Sequence, residues 1–227
     1  DFGLKDYFVA AIKAELHLEI KDAHIIDISH QVSPFNHTEA AYILTNAYKA
    51  FPKGSIHIIG VDSEFSPENS HIVMFFDGHH FIGANNGILS LIKGDRVPNK
   101  IVEINIHNNI TSSFPVLDVF VKVAGHISRK GSLDVIGKPI TDIKEVTGVR
   151  PVINPTEDQI LGSVIYIDNF GNVVTNITEK LFSEYRKGRT YTIFAKSIKF
   201  SSIHASYTEA INFSIPKENR DEDGKKI

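Results

Sequence analysis

The sequence lacks cysteine and tryptophan, and it has one methionine in 227 residues. Without cysteine there is no disulfide, no thiolate nucleophile and no cysteine-bound metal. The formal net charge of −3 provides no broad basic field, which argues against nucleic acid as a partner. No apolar run approaches the roughly 18 residues that a membrane-spanning helix needs. We therefore expect no nucleic-acid or membrane partner, and a cytoplasmic location.

Several catalytic motifs are also missing. The chain has no Walker loop, no Gly-x-Gly-x-x-Gly after a strand and no Gly-x-Ser-x-Gly elbow. Eleven histidines keep a metal-dependent hydrolase open as an alternative. However, His79 and His80 are adjacent and would face opposite sides of a strand, and His30 and His37 have no partner at a recurring ligand spacing. The sequence therefore predicts neither a metal site nor a cofactor.

Apolar residues make up 42% of the chain and charged residues 22%, as in a globular protein with a core. Helices and strands alternate in the first half, and Asn36 followed by Glu39 is typical of a helix start. The predicted elements are helix Tyr7–Glu19, strand His24–Ser29, helix Ala40–Phe51, a strand ending at Asp62, a hairpin around Asp77-Gly78, strand Lys100–Ile106 and helix Leu117–Ser128.

The second half has a different composition. Gly131–Thr156 is rich in glycine and proline and is predicted to be a linker. Short strands follow, and the charged segment Lys217–Lys226 is predicted to be disordered. We predict an α/β N-terminal domain over residues 1–150, with a Rossmann-like parallel sheet and flanking helices, and a small β-rich, barrel-like C-terminal domain over residues 151–227.

The strongest local signal for a site is the apolar run Ile58–Val61, which leads directly into Asp62. Such a run is typical of a buried strand, and ligands of open α/β sheets bind beyond the carboxyl ends of their strands. An aspartate after a strand also commonly begins a turn, so Asp62 by itself does not establish a site.

Other carboxylate, amide and aromatic side chains lie at predicted loop positions. Carboxylates suit ribose hydroxyls or a ligand ammonium, and aromatic rings suit the face of a purine. Taken singly, each is more often a cap, a turn residue or part of the core. With Asp62, the candidates are Asp1, Phe35, Asp168, Phe170 and Asn172.

An ordered set of fragments resembles the S-adenosyl-L-methionine hydroxide adenosyltransferase family, the hydrolases related to fluorinase and chlorinase. The fragments are Asp1-Phe2-Gly3-Leu4-Lys5-Asp6, Ile26-Asp27-Ile28-Ser29-His30, Pro34-Phe35, Val61-Asp62, Asn85-Asn86-Gly87-Ile88-Leu89, Asp118-Val119-Phe120 and Asp168-Asn169-Phe170-Gly171-Asn172. Any one of them is weak evidence, but their order along the chain is specific.

This resemblance implies a homotrimer with ligand sites between subunits, and a reaction that delivers hydroxide from water to ribose C5′ of S-adenosylmethionine. It implies that Asp62 positions the water and that Asp1 holds the ribose hydroxyls, with Phe35 beside the ribose. It further implies that Asp168 meets the methionine amine and that Phe170 and Asn172 contact adenine.

The chain departs from the family at the reactive centre. Asn69 stands where the family has an arginine, and Pro115 stands where it has a histidine. Because neither residue supplies a charge or a proton-transfer group, we expect weakened S-adenosylmethionine hydrolysis to adenosine and methionine. The alternative is a non-catalytic adenosine- or S-adenosylmethionine-binding protein, or a structural trimer of the same fold.

Overall fold

The computed structural model describes residues 1–106, 112–146 and 150–220. The chain divides into two compact units. The first comprises Asp1–Val152 with Leu161–Ile177, and the second comprises Ile153–Ile160 with the chain from Thr178 onward. The domain boundary at residue 150 stays a prediction.

A five-stranded sheet forms the centre of the first unit, in the order β1-β3-β2-β4-β5. Its strands are β1 (Ile56–Ile58), β2 (His71–Phe76), β3 (His79–Ala84), β4 (Lys100–Ile104) and β5 (Gly137–Pro139). β1 and β3 run parallel, whereas the other three described pairs are antiparallel. The α/β class is therefore confirmed, but the sheet is mixed rather than parallel.

The predicted hairpin is the reason for the mixed pairing. Asp77 and Gly78 both have positive φ, 51° and 76°, which is the backbone of a tight turn between antiparallel strands. The turn returns β3 alongside β2, so that Phe76 pairs with His79.

Helices cover both faces of this sheet. They are α1 (Phe8–Glu19), α2 (His37–Ala47), α3 (Ile88–Lys93), α4 (Val121–Ser128) and α5 (Leu133–Ile136). A π-helical turn, Val116–Phe120, leads into α4. The predicted start of α2 is confirmed, because the Asn36 side chain accepts a hydrogen bond from the Glu39 amide at 3.1 Å.

The core follows the two-residue period of the strands. Ile72 and Met74 of β2 pack towards α2 and α3, whereas Val73 between them packs towards α1 and α4. All three residues are fully buried. Because the faces of the sheet are covered, a ligand site is expected at its edges or at the ends of its strands.

Two predicted elements are corrected. His24–Ser29 is not a strand, because it lies across a cavity of about 720 Å³ from β1 and forms no described ladder with it. The predicted linker contains α5 and β5. The Ser132 side chain caps α5, and β5 pairs with β4, so long-range pairing overrides the glycine and proline content.

The C-terminal part is β-rich, as predicted. It contains β6 (Val152–Ile153), β7 (Ile160–Leu161), β8 (Val164–Ile167), β9 (Val173–Thr175), β10 (Ile193–Ala195) and β11 (Ile198–Phe200), paired as three two-stranded sheets. Its helices are α6 (Glu179–Arg186) and α7 (Tyr207–Ala210).

Of the charged segment predicted to be disordered, Lys217–Asn219 forms a 3₁₀ turn, and residues 221–226 lie outside the described residues. Across the part of the chain that is described, no helix combines the length and apolar character needed to cross a bilayer.

Candidate functional site

The strand predicted to end at Asp62 stops at Ile58, and Asp62 lies in a turn four residues later that is held from two sides. Its φ of 46° is in the left-handed region, which aspartate tolerates better than most residues. The buried Asn86 side chain donates to the carbonyls of Val61 at 3.0 Å and Asp62 at 3.1 Å. A ring nitrogen of His71 lies 2.9 Å from the Ser63 carbonyl oxygen. The turn after β1 is therefore positioned by side chains from other parts of the chain.

The Asp62 carboxylate has a histidine partner. Nε2 of His37 lies 2.9 Å from Oδ2 of Asp62, and about a quarter of each side chain is exposed, 27% and 25%. His37 is the first residue of α2, so the helix start brings the imidazole to the turn after β1. The result is a carboxylate–imidazole pair that solvent and a small ligand can reach.

Asp1 and Phe35 lie beside the same helix start. The Phe35 amide donates to Oδ2 of Asp1 at 3.1 Å, two residues before His37. Phe35 has a φ of 60°, which is unfavourable for a bulky side chain, and its ring is 70% exposed. Two left-handed non-glycine residues, Phe35 and Asp62, thus occur around the His37–Asp62 contact. Such strain often accompanies functional sites.

A lysine from a distant part of the chain contacts the loop that follows Asp62. This loop closes at a bridge between Ser66 and Asn69, and Nζ of Lys144 donates to Oδ1 of Asn69 at 3.0 Å. The Lys144 amide donates to Oδ1 of Asn85 at 2.8 Å, next to the Asn86 that holds Asp62. Asn69 therefore carries no charge itself but binds an ammonium group.

Pro115 stands at the start of the π-helical turn, where its missing N–H is no loss. The neighbouring Phe114 ring packs edge-on against Phe2 and Phe8, with centroids 5.3 Å apart in both pairs. A Cβ atom placed on Gly60 would come within 3.4 Å of Val116, so the Pro115 stretch lies beside the strand end that leads to Asp62. An apolar contact occupies this side of the site.

Asp168, Phe170 and Asn172 form a turn of their own. Oδ1 of Asp168 accepts from the amides of Phe170 at 2.9 Å and Asn172 at 2.8 Å, and Oδ2 accepts from the Asn172 side chain at 2.8 Å. These bonds, above all the one from the Asn172 side chain, lower the pKa of Asp168 below its ordinary value. The Phe170 ring is 88% exposed. The carboxylate keeps acceptor capacity on Oδ2, because each oxygen can accept two hydrogen bonds.

The structure thus brings Asp1, Phe35 and Asp62 together at the start of α2. No described hydrogen bond joins the Asp168 turn to this group. The strand before that turn contacts α2, because the Tyr166 ring of β8 packs on the Tyr42 ring with centroids 4.7 Å apart. Sequence reasoning missed His37 and Lys144. The position of His37 directly after the helix cap Asn36, two residues from Phe35, was the available signal for the first. Nothing local marked the second.

The cavity beside β1 is a separate feature. Asp1 lines it, whereas Phe35, Asp62 and the Asp168 turn do not. Its walls include aliphatic side chains such as Val9, Leu16 and Ile43, and also the Asp27 carboxylate with its partner Lys13. Among the described residues, no three metal-ligating side chains converge.

Comparisons with known proteins agree on one family. The family model for the SAM hydroxide adenosyltransferase N-terminal domain matches residues 1–137, and that for the C-terminal domain matches residues 162–213. A protein of Methanocaldococcus jannaschii named (R)-S-adenosyl-L-methionine hydrolase is 30% identical, over 94% of this chain and 80% of its own length. A Salinispora tropica protein of the same name is 26% identical, over 76% of this chain and 68% of its own.

A solved structure has the same fold. The crystal structure of an uncharacterized conserved protein from Thermotoga maritima has a TM-score of 0.78 and 27% identity, covering 92% of this chain and 82% of that one.

Proposed function

The chain belongs to the S-adenosyl-L-methionine hydroxide adenosyltransferase family, and from this premise we propose that it hydrolyses S-adenosyl-L-methionine. The reaction would transfer hydroxide from water to ribose C5′ and release adenosine and methionine. Two relatives are named for this activity, and each aligns with this chain over more than two thirds of its own length. Their names support S-adenosyl-L-methionine as the substrate.

The observation that carries the proposal is the built geometry around Asp62. Asp62 has a left-handed backbone in the turn after β1, is held by Asn86 and is paired with His37. Its carboxylate is therefore positioned for a water molecule and does not serve as a helix cap. A site that removes a proton from the attacking water typically contributes about 10²–10⁴-fold in rate.

Lys144, whose ammonium group donates to Asn69, would supply the positive charge that Asn69 lacks. A cation near the attacking water favours its hydroxide form, and removing one charge-stabilising group typically costs about 10²–10³-fold. An ammonium is a point charge without the fork of donors that a guanidinium has. We therefore expect turnover that is weaker than an arginine at position 69 would support.

The ligand would lie over the start of α2. Asp1 would hold the ribose hydroxyls through the oxygen that Phe35 does not use, and the exposed Phe35 ring would cover the ribose. Asp168 would meet the methionine ammonium, and Phe170 and Asn172 would contact adenine. No cofactor or metal ion is part of this proposal.

We also propose that the protein works as a cytoplasmic homotrimer, with each ligand site shared by two subunits. Large apolar side chains are exposed on the described β8 and β9, among them Val164, Ile167 and Val173. Burial of such side chains against a second copy would remove apolar surface from water. Light scattering on the purified protein should give three times the mass of one chain.

The test is incubation with S-adenosylmethionine and chromatography for adenosine and methionine. We expect formation of both products above the buffer blank, and a loss of about 10²–10⁴-fold in Asp62→Asn, which keeps the shape and tolerates positive φ. Asn105→Asp, a change of similar size and opposite direction away from the described site, is the control and should retain the rate. Turnover by Asp62→Asn equal to that of the wild type would show that the reaction centre lies elsewhere.

A second candidate is a non-catalytic binding protein of the same fold. Asn69 and Pro115 favour it, because neither side chain can transfer a proton or carry charge at neutral pH. It predicts no products from S-adenosylmethionine but saturable calorimetric heat with adenosine, reduced in Asp1→Ala.

A further inference from the structure

The imidazole of His37 has one described hydrogen-bond partner, Oδ2 of Asp62. A neutral imidazole has one N–H donor and one acceptor nitrogen. When Asp62 is ionised it can only accept, so Nε2 of His37 carries the proton of this contact. The lone pair therefore lies on Nδ1, for which the described residues provide no hydrogen-bond donor. A water molecule is the natural donor to that nitrogen.

The chemistry of hydrolysis gives such a nitrogen a use. Attack of water on C5′ needs no acid at the leaving group, because the sulfonium leaves as a neutral thioether. It does need a group that takes a proton from the water. The unprotonated Nδ1 of a neutral His37 can take that proton, and the carboxylate bound to Nε2 stabilises the resulting imidazolium.

We infer that His37, oriented by Asp62, is the proton acceptor for the attacking water; this inference rests on the proposed hydrolysis. The water oxygen forms a bond to C5′ while the C5′–S bond breaks and its electron pair goes to sulfur, which gives methionine. One water proton moves to Nδ1 of His37, the oxygen stays on C5′ as the hydroxyl of adenosine, and the imidazolium later releases its proton to solvent.

The role of Asp62 changes accordingly. Its carboxylate sets the ring orientation and stabilises the imidazolium through the 2.9 Å contact, as carboxylate–histidine pairs do in other hydrolases. The left-handed backbone at Phe35 and Asp62 is consistent with this role. Phe35 lies two residues before His37, and Asp62 is its partner, so strain at both positions accompanies a fixed orientation of the two side chains.

The deciding variant is His37→Gln. The glutamine amide can still donate to Asp62, but it cannot accept a proton from water. We expect kcat to fall about 10²–10⁴-fold with KM changed less than about twofold. His30→Gln is the control, because Nε2 of His30 also lies 2.9 Å from an aspartate oxygen, on Asp27, and this change should leave the rate unchanged. Circular dichroism and adenosine calorimetry establish that each variant is folded.

Chemical rescue provides a second readout. In His37→Ala, added imidazole should restore turnover in proportion to its concentration, and it should not do so in Asp62→Ala. Wild-type kcat in His37→Gln, or no response to imidazole in folded His37→Ala, overturns the inference while leaving hydrolysis intact. A wild-type protein that releases no adenosine above the buffer blank overturns the hydrolysis and this inference together.

Discussion

Asn86 offers the sharpest test of how the site is held. It is 3% exposed and makes three hydrogen bonds, donating to the carbonyls of Val61 and Asp62 and accepting from the Ile88 amide at 3.2 Å. The side chain thereby joins the turn after β1 to the first turn of α3. Its removal leaves the Val61 and Ile88 groups buried without partners.

The magnitude follows from those bonds. A net hydrogen bond is worth about 1 kcal/mol, and a buried group left without a partner costs about 1–3 kcal/mol. For Asn86→Ala we expect the free energy of unfolding to fall by about 3–4 kcal/mol, a large share of the roughly 5–15 kcal/mol typical of a domain. Asn85→Ala loses one partly exposed bond, to the Lys144 amide, and should cost about 1 kcal/mol.

Urea unfolding of both variants measures the difference. Far-ultraviolet circular dichroism is the suitable signal, because the chain has no tryptophan to report by fluorescence. The linear extrapolation converts each midpoint into a free energy. Equal losses in the two neighbouring variants, or a loss below about 1 kcal/mol for Asn86→Ala, would refute the view that this side chain fastens the Asp62 turn.

Two further predictions concern charge. Burial and then the neighbouring His79 lower the pKa of His57 from 6.5 to about 4, so the unfolded chain binds a proton that the folded chain does not. The free energy of unfolding should therefore fall as the pH drops from 6.5 to 4, and less steeply in His57→Phe; identical acid limbs in urea titrations would contradict this. Separately, Lys144→Met should lower kcat for S-adenosylmethionine about 10²-fold, because it removes a positive charge. Lys144→Arg should retain the rate, and Lys138→Met, at an exposed position, is the control. An unchanged rate in Lys144→Met would show that this lysine is not part of the site.

Much of the fold could be predicted because its signals are local. Asn36 and Glu39 lie three residues apart and form the predicted cap, and Asp77-Gly78 forms the predicted turn. Apolar spacing located α1, which begins one residue later than predicted. Period and capping act within one or two turns of chain, so neighbouring residues carry the whole signal.

Other predictions failed where pairing across the fold decides. The apolar pattern of His24–Ser29 is compatible with a strand, but a strand also needs a ladder partner, and the cavity beside β1 separates this segment from one. The residues from Leu133 to Pro139 look like a linker, yet the backbone of β4 pairs with them. The composition of a segment does not predict whether it will form hydrogen bonds with a distant strand.

The sequence by itself determined the family, the α/β class and the candidate residues Asp1, Phe35 and Asp62, because these depend on ordered motifs and local patterns. Tertiary structure alone decided that Asp62 meets His37, 25 residues earlier in the chain, and that Asn69 meets Lys144, 75 residues later. The physical reason is that two side chains far apart in sequence meet only when the packing of the sheet and helices brings the ends of the intervening loop together. No local sequence pattern specifies that loop closure.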